Sequence, residues 1–232
     1  MNIVITGASK GIGYAIAETF AAHGHDLYLT SKTANDLATA AATLAKQFPT
    51  VQIHFMAADL SKEREVMAFA SWCLQKTTPT ILVNNAGYFL PGKLQDEAAG
   101  QLQSQLETNL FSAYHLTRAL LPSMLSVKTG HIFNICSIAS LAAYENGGAY
   151  SISKFALLGF SKNLRLELKD KGIKVTAVCP GAVYTNSWSG SGVDPKRIME
   201  ASDIAKMVYA ASQLSPQAVV EDIVMRPQLG DL

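Results

Sequence analysis

The sequence predicts an α/β fold, a single domain in which a doubly wound parallel β-sheet of about seven strands is flanked by helices. Three observations point there. Short aliphatic runs alternate with longer segments of helical character, the pattern of parallel strands joined by crossover helices. The first of these runs breaks into a glycine-rich turn, Thr6-Gly-Ala-Ser-Lys-Gly-Ile-Gly13, just where a helix is due to start. No linker, repeat or composition shift divides the 232 residues, a length that α/β folds often reach undivided.

Residues 2–6 read as the first strand, followed by a helix from about Gly11 to His23. Leu27 to Thr30 form the second strand, and an alanine-rich helix runs from about Asn35 to Phe48. Val51 to Met56 read as the third. The next helix sets Val66, Phe69, Ala70 and Cys73 on one face. Thr80 to Val83 make the fourth strand, and one long helix is expected from Leu102 to Val127, ending near Gly130. His131 to Cys136 form the fifth strand, and a helix from roughly Ala149 to Lys171 is stopped by Gly172. Ile173 to Cys179 form the sixth, closed by Pro180-Gly181. The stretch up to about Val193 is rich in Gly and Ser without periodicity and reads as a mobile loop, part of a short substrate loop near 186–201. Ser202 reads as the cap of a helix reaching Gln213, with Asp203 in its first turn, and Glu221 to Met225 as a last strand.

Bulk composition narrows the function. Half the residues are hydrophobic and 16% are charged, enough apolar material for a substantial core. A net charge of +1 gives no footprint for nucleic acid or an anionic membrane surface. No apolar run approaches the ~18 residues of a membrane span, and the N-terminal one is too short for a signal peptide. Cys73, Cys136 and Cys179 have no metal-type spacing. Two of them lie in strand-like runs, which suggests buried free thiols in a reducing compartment, so a cytoplasmic location is expected. The five histidines are scattered and read as structural or surface residues; no metal site is expected.

Chemistry gathers in two places. In the first turn, Gly7, Gly11 and Gly13 let the backbone approach a ligand closely, and the helix behind offers free N–H groups to a diphosphate. The spacing is G-x-x-x-G-x-G, not the general G-x-G-x-x-G dinucleotide fingerprint. The second place is Ser137 to Lys154. Tyr150 and Lys154 at i,i+4 share a helix face, and an ammonium beside a phenol favours the phenolate, which makes the tyrosine a usable general acid or base. Ser137 follows the apolar run Ile132–Cys136 and is a hydroxyl suited to a substrate oxygen, with Ser140 as its rival. Cys136 is expected to face away from Ser137.

In order along the chain, these motifs resemble the short-chain dehydrogenase/reductase family, in particular its 3-oxoacyl-carrier-protein reductase-like members. Thr6 to Gly13 matches the cofactor turn, Asp59-Leu60 the pair at the adenine, and Asn84-Asn-Ala-Gly87 the second motif. Asn109, Ser137, Tyr150-Ser-Ile-Ser-Lys154 and Pro180-Gly-Ala-Val-Tyr-Thr185 complete the set. The resemblance implies a Rossmann-type fold and a catalytic tetrad of Asn109, Ser137, Tyr150 and Lys154. Tyr150 would exchange the proton, Ser137 orient the carbonyl, Lys154 also bond the nicotinamide ribose, and Asn109 hold Lys154 and a relay water. It implies a cofactor lining of Gly7, Ser9, Lys10, Gly11, Ile12, Gly13, Ser31, Lys32, Asp59, Leu60, Asn85, Ala86, Gly87, Pro180, Gly181, Val183 and Thr185, besides Tyr150 and Lys154. The segment Asn186 to Val193, with Trp188, would close over substrate.

The cofactor choice rests on the end of the second strand. Asp26 precedes that strand, and at about 3.3 Å per residue it lies more than about 10 Å from the ligand edge. Thr30, Ser31 and Lys32 reach that edge and include no carboxylate; a hydroxyl and two cations, Lys32 and Lys10, suit a 2′-phosphate. NADP(H) is therefore expected. The resulting expectation is an NADP(H)-dependent enzyme interconverting a carbonyl and an alcohol, on a 3-oxoacyl-carrier-protein or a small ketone or aldehyde. The alternative is a non-catalytic dinucleotide-binding regulator, a class that usually loses the tyrosine or lysine retained here. An extended-family epimerase is disfavoured by the roughly 50 residues left after the sixth strand. Surplus apolar residues on the two long helices (Leu116, Leu120, Leu157, Phe160) suggest a homodimer or homotetramer. The ending Arg226-Pro-Gln-Leu-Gly-Asp-Leu232 departs from the family's glycine-rich one and puts the tetramer in doubt.

Overall fold

In a computed structural model, residues 1–185, 188 and 192–232 are described. Seven parallel strands form one sheet, built from β1 (Asn2–Thr6), β2 (Asp26–Thr30), β3 (Ile53–Phe55), β4 (Ile81–Asn84), β5 (Gly130–Ile135) and β6 (Ile173–Pro180), with Asp222–Met225 as the last. Two short strands, β7 (Val183–Tyr184) and β8 (Met199–Glu200), pair separately, so the last sheet strand is β9. The order is β3-β2-β1-β4-β5-β6-β9. The chain moves outward from β1 to β3, then returns to β4 on the other side of β1. That reversal opens a crevice at the carboxyl ends of β1 and β4, where doubly wound sheets bind ligands.

Strand alternation sorts the core into two layers. On β1, Ile3 and Ile5 face α1 (Gly11–Ala22), α2 (Ala34–Gln47) and α7 (Ala201–Ser212), packing with Phe20, Leu37 and Val208. Val4 faces the other way, onto a cluster with Phe69 of α3 (Glu63–Leu74), Leu116 and Leu120 of α5 (Ser112–Val127), and Leu164 of α6 (Gly148–Leu168). Burying each such side chain contributes roughly 1.5–3 kcal/mol against unfolding. Leu116, Leu120 and Leu157 are thus monomer core, and Phe160 packs against it half-buried. They are not surplus surface, so the oligomer expectation loses the residues that suggested it.

Four further expectations are corrected. The third strand is three residues, not six, because the Val51 amide is used by the turn after α2, bonding the Phe48 carbonyl at 3.1 Å. The long helix before β5 is not uniform: α4 (Gln101–Leu106) widens into a π-helical turn at Glu107–Phe111 before α5 resumes. The stretch after β6 is not wholly irregular, since β7 and β8 are paired, a ladder too short to leave a periodic signal. Of the loop expected to move, Asn186, Ser187, Ser189, Gly190 and Ser191 lie outside the described residues. Finally, Ser202 is inside α7 rather than its cap. Glu200 holds the cap position, and its amide donates to Asp203 Oδ2 at 3.2 Å.

Candidate active site

The glycine turn is held shut behind by its own neighbours. Gly7 has φ +63°, and a side chain at Gly13 would overlap the Gly7 carbonyl and reach within 2.5 Å of Asn85 Nδ2. Asn85 Nδ2 donates to the Thr6 and Gly7 carbonyls at 3.0 and 3.1 Å. The Asn85 and Ala86 amides donate to Thr6 Oγ1 at 2.9 and 2.8 Å. The second motif therefore braces the first, and this clamp is why β1 and β4 end in one concave wall.

That wall opens into a cleft of about 1140 Å³. Such a volume exceeds the roughly 300–1,000 Å³ of pockets for single drug-sized ligands and leaves room for a dinucleotide with a second molecule. Of the anticipated site residues, all but two line it: Gly7, Ser9, Lys10, Gly11, Ile12, Ser31, Lys32, Asp59, Leu60, Asn85, Ala86, Gly87, Ser137, Tyr150, Lys154, Pro180, Gly181, Val183 and Thr185. Gly13 and Asn109 sit behind the wall. Asp26 pairs in register with Asn2 at the far edge of the sheet and accepts from the Gln52 amide at 2.9 Å, as its place before the strand implied.

Past the end of β2 the cleft wall carries hydroxyls and a lysine. Ser31 Oγ is buried and has no hydrogen-bond partner among the described residues. Lys32 is exposed and pairs with Asp59 at 3.0 Å. Burial raises the Asp59 carboxyl, but hydrogen bonds from Ser61 and Lys32 outweigh it and hold the group below the ordinary carboxylate range. Thr33 and Asp36 also line this end. They were missed because they belong to the start of α2, beyond the strand end; Asp36 is a carboxylate that the strand-end reading did not take in.

At the other end, Tyr150 and Lys154 rise from the first turns of α6. Lys154 is 5% exposed, and its Nζ donates to the Ile135 carbonyl at the tip of β5 at 2.8 Å. Ser137 follows two residues later, where it caps a short 3₁₀ turn: its Oγ accepts from the Ala139 amide at 3.1 Å. The rival Ser140 is buried, does not line the cleft, and accepts from the Ser137 amide at 3.1 Å. Cys136, expected to face away from Ser137, packs with Leu157, Leu158 and Cys179 but also touches the cleft wall.

Asn109 stands in the π-helical turn, 1% exposed. Its Oδ1 accepts from the Tyr88 amide at 2.9 Å, and its Nδ2 donates to the Tyr88 carbonyl at 3.2 Å and Ser153 Oγ at 2.9 Å. Ser153 in turn donates to the Tyr150 carbonyl at 2.7 Å. The asparagine thus reaches the Tyr150–Lys154 turn through Ser153, a residue that sequence reading passed over although it sits inside the quoted motif. The start of α6 is held from Glu97, whose Oε1 accepts from the Ala149 amide at 2.6 Å; no local spacing in the sequence announces that pairing.

The cleft's outer walls were also missed: Tyr88 and Phe89 after β4, Tyr144 before α6, and Arg226, Asp231 and Leu232 from the end of the chain. Trp188, anticipated near the substrate, lines the cleft as well. Burial, with the neighbouring Tyr150, pushes the Tyr144 phenol up to about 12. Such an arrangement offers a phenol, a buried ammonium and a serine hydroxyl around one space, next to a cradle for a dinucleotide.

Comparison with known proteins agrees with that geometry. Residues 1–194 match the family model described as short chain dehydrogenase. A sepiapterin reductase of Chlorobaculum tepidum is 34% identical over 239 residues, covering 99% of this chain and 97% of that protein. Among solved structures, an alcohol dehydrogenase of the archaeon Thermococcus sibiricus complexed with 5-hydroxy-NADP superposes with a TM-score of 0.90 at 26% identity, covering 100% of this chain and 98% of that one. A metagenomic short-chain oxidoreductase in complex with NADP gives 0.85 at 30% identity, covering 98% and 97%.

Proposed function

The chain belongs to the short-chain dehydrogenase family, and from that premise we propose that it interconverts a carbonyl and an alcohol with NADP(H), using Tyr150 as the general acid and base. NADP(H), when bound, supplies or accepts the hydride. The protein's part is to bind, orient and move a proton. Tyr150 Oη gives its proton to the carbonyl oxygen in reduction and takes it back in oxidation. Lys154 holds its ammonium 5.8 Å from the centre of the Tyr150 ring, in reach of the nicotinamide ribose. Ser137 donates a hydrogen bond to the same substrate oxygen, stabilising the charge that develops there. Asn109 and Ser153 fix the turn that carries Tyr150 and Lys154.

The observation that carries this reading is the convergence of Ser137, Tyr150 and Lys154 on one cleft whose far end holds the glycine turn and the orphan Ser31 hydroxyl. Lys10 and Lys32 on that far wall support a 2′-phosphate there, as do relatives whose structures contain NADP. A small ketone, aldehyde or diketone fits better than a carrier-borne 3-oxoacyl chain, since a net charge of +1 offers an acidic carrier protein little attraction.

The test is Tyr150→Phe, assayed by NADPH oxidation with a carbonyl substrate. The rate is expected to fall by about 10²-fold or more, the usual worth of a positioned general acid. A rate within about threefold of the parent enzyme would overturn the assignment.

A further inference from the structure

The substrate end of the cleft has a chemical character of its own. Resting on the carbonyl-reductase reading above, we infer that it selects an uncharged carbonyl compound in which the reacting carbon bears a flat, aromatic substituent.

Phe89 lies against the proposed acid itself. Its ring meets that of Tyr150 edge-on, with centroids 4.8 Å apart and planes at 77°. A carbonyl compound with its oxygen at the Tyr150 hydroxyl has the Phe89 ring within reach of a substituent. Phe89 and Tyr144 both line the cleft, yet 45% and 44% of their surfaces remain exposed. Aromatic surface left open inside a concave site is unspent binding area, and edge-on or offset contact with another ring is its preferred use.

Among the described residues, two polar pairs of this end are engaged with each other. Tyr88 Oη and Ser104 Oγ are 2.9 Å apart, and Arg226 is ion-paired with Asp231. The Tyr144 phenol, pushed up to about 12, stays neutral at working pH. A ketose would need several free hydrogen-bond partners, because a site discriminates for hydroxyls by pairing them. A keto acid or phosphorylated substrate would have to draw Arg226 from Asp231, whose carboxylate also lines the cleft and opposes an anion. The cleft's other cations do not serve: Lys10 and Lys32 lie at the dinucleotide end, and Lys154 is committed to the Ile135 carbonyl. Among the described residues, the open surface beside Tyr150 is the planar, apolar ring of Phe89.

The experiment compares kcat/KM with NADPH for three probes: 1-phenylpropane-1,2-dione, butane-2,3-dione and fructose. The two diketones share a reacting unit and differ in the ring. The phenyl compound is expected to exceed butanedione by about tenfold or more, with fructose lower still. In Phe89→Ala that preference should shrink by about fivefold or more, and in Phe89→Tyr, which keeps the ring, it should persist. Equal efficiency on the two diketones, a preference for fructose, or a phenyl preference that survives Phe89→Ala overturns the inference while leaving the carbonyl-reductase reading intact. Absence of NADPH oxidation with any carbonyl would overturn both.

Discussion

Glu97 Oε1 accepts a 2.6 Å hydrogen bond from the amide of Ala149, the residue before Tyr150. Helix α6 begins at Gly147-Gly148, which brings no capping side chain, so its unpaired N-terminal amides are served from another loop. Gly148 has φ +43°, and any Cβ there would overlap the Glu97 carboxylate. The Gly92 amide also bonds the Asn146 carbonyl at 3.0 Å, tying the same loop to the helix start. A carboxylate at a helix N-terminus is favoured by the macrodipole as well as by the hydrogen bond.

Glu97→Ala should therefore cost about 0.5–2 kcal/mol, the range for losing a helix cap. At this chain length each kcal/mol lowers the Tm by roughly 2–4 °C. Because the freed turn carries Tyr150, kcat should also fall by about tenfold, with Glu97→Gln, which keeps the acceptor, recovering most of it. Thermal melts and steady-state rates on the three proteins check this. A kcat unchanged in Glu97→Ala would mean the cap holds the helix without positioning the tyrosine.

Cofactor preference turns on a competition at Lys32. Its pair with Asp59 is 76% exposed on the lysine side, so it is worth no more than about 1 kcal/mol. A charge-assisted hydrogen bond to a phosphate is worth about 1.5–3 kcal/mol, so the lysine should leave Asp59 for the ligand. Lys32→Ala is expected to lower kcat/KM for NADPH by about tenfold and leave NADH nearly unaffected. Ser31→Asp, which places a carboxylate at the buried orphan hydroxyl, should reverse the preference. Equal losses with both cofactors in Lys32→Ala would show that the lysine does not meet the 2′-phosphate.

The glycine-turn wall of the cleft was legible because it is local in sequence. The glycine turn, the strand that feeds it and the helix behind it are contiguous, so spacing alone placed them. The parallel sheet and its flanking helices followed from the alternation of strand-like and helical segments, while the strand order and the facing of Ile3, Val4 and Ile5 onto opposite layers came from the structure. What stayed hidden depends on contacts across long separations. Glu97 serves a helix 52 residues on. Arg226 and Asp231 line the cleft with the chain end held by Arg197, which donates to the carbonyls of Leu229, Gly230 and Asp231. The π-helical turn around Asn109 was hidden for another reason: one extra residue in a helix barely disturbs its apolar periodicity.

His131 gives the fold an acid-side weakness. It is 4% exposed, stacked on Phe133 at 3.9 Å, with Nε2 2.7 Å from Thr176 Oγ1. Thr176 spends its own proton on the Val220 carbonyl at 2.6 Å, so the histidine must donate from Nε2 and can do so while neutral. Burial, with nearby Lys174, lowers the imidazole to about 3. Between about pH 6.5 and 3 the unfolded chain binds a proton at this residue that the folded chain refuses, so stability falls as pH falls, by about 1.4 kcal/mol per unit from this group. Urea melts of the parent and His131→Gln at pH 7.5, 5.5 and 4.5 should show the parent losing stability faster. A stability difference that does not change with pH would remove His131 as the cause.

Asn109 and Ser153 should behave as one unit. The buried amide of Asn109 bonds Tyr88 through both its atoms and donates to Ser153 Oγ, which bonds the Tyr150 carbonyl. Removing the asparagine strands the Tyr88 amide, at about 1–3 kcal/mol, and takes a donor from Ser153 Oγ, so Asn109→Ala should be less stable as well as slower. Stability alone would not separate a structural role from a positioning one. The separating measurement is a double-mutant cycle on kcat with Asn109→Ala, Ser153→Ala and both together. If the asparagine acts on the Tyr150–Lys154 turn through Ser153, the second substitution should add little to the first, with a coupling of about 0.5–3 kcal/mol. Additive losses in kcat would mean that Asn109 reaches the reacting groups by another route.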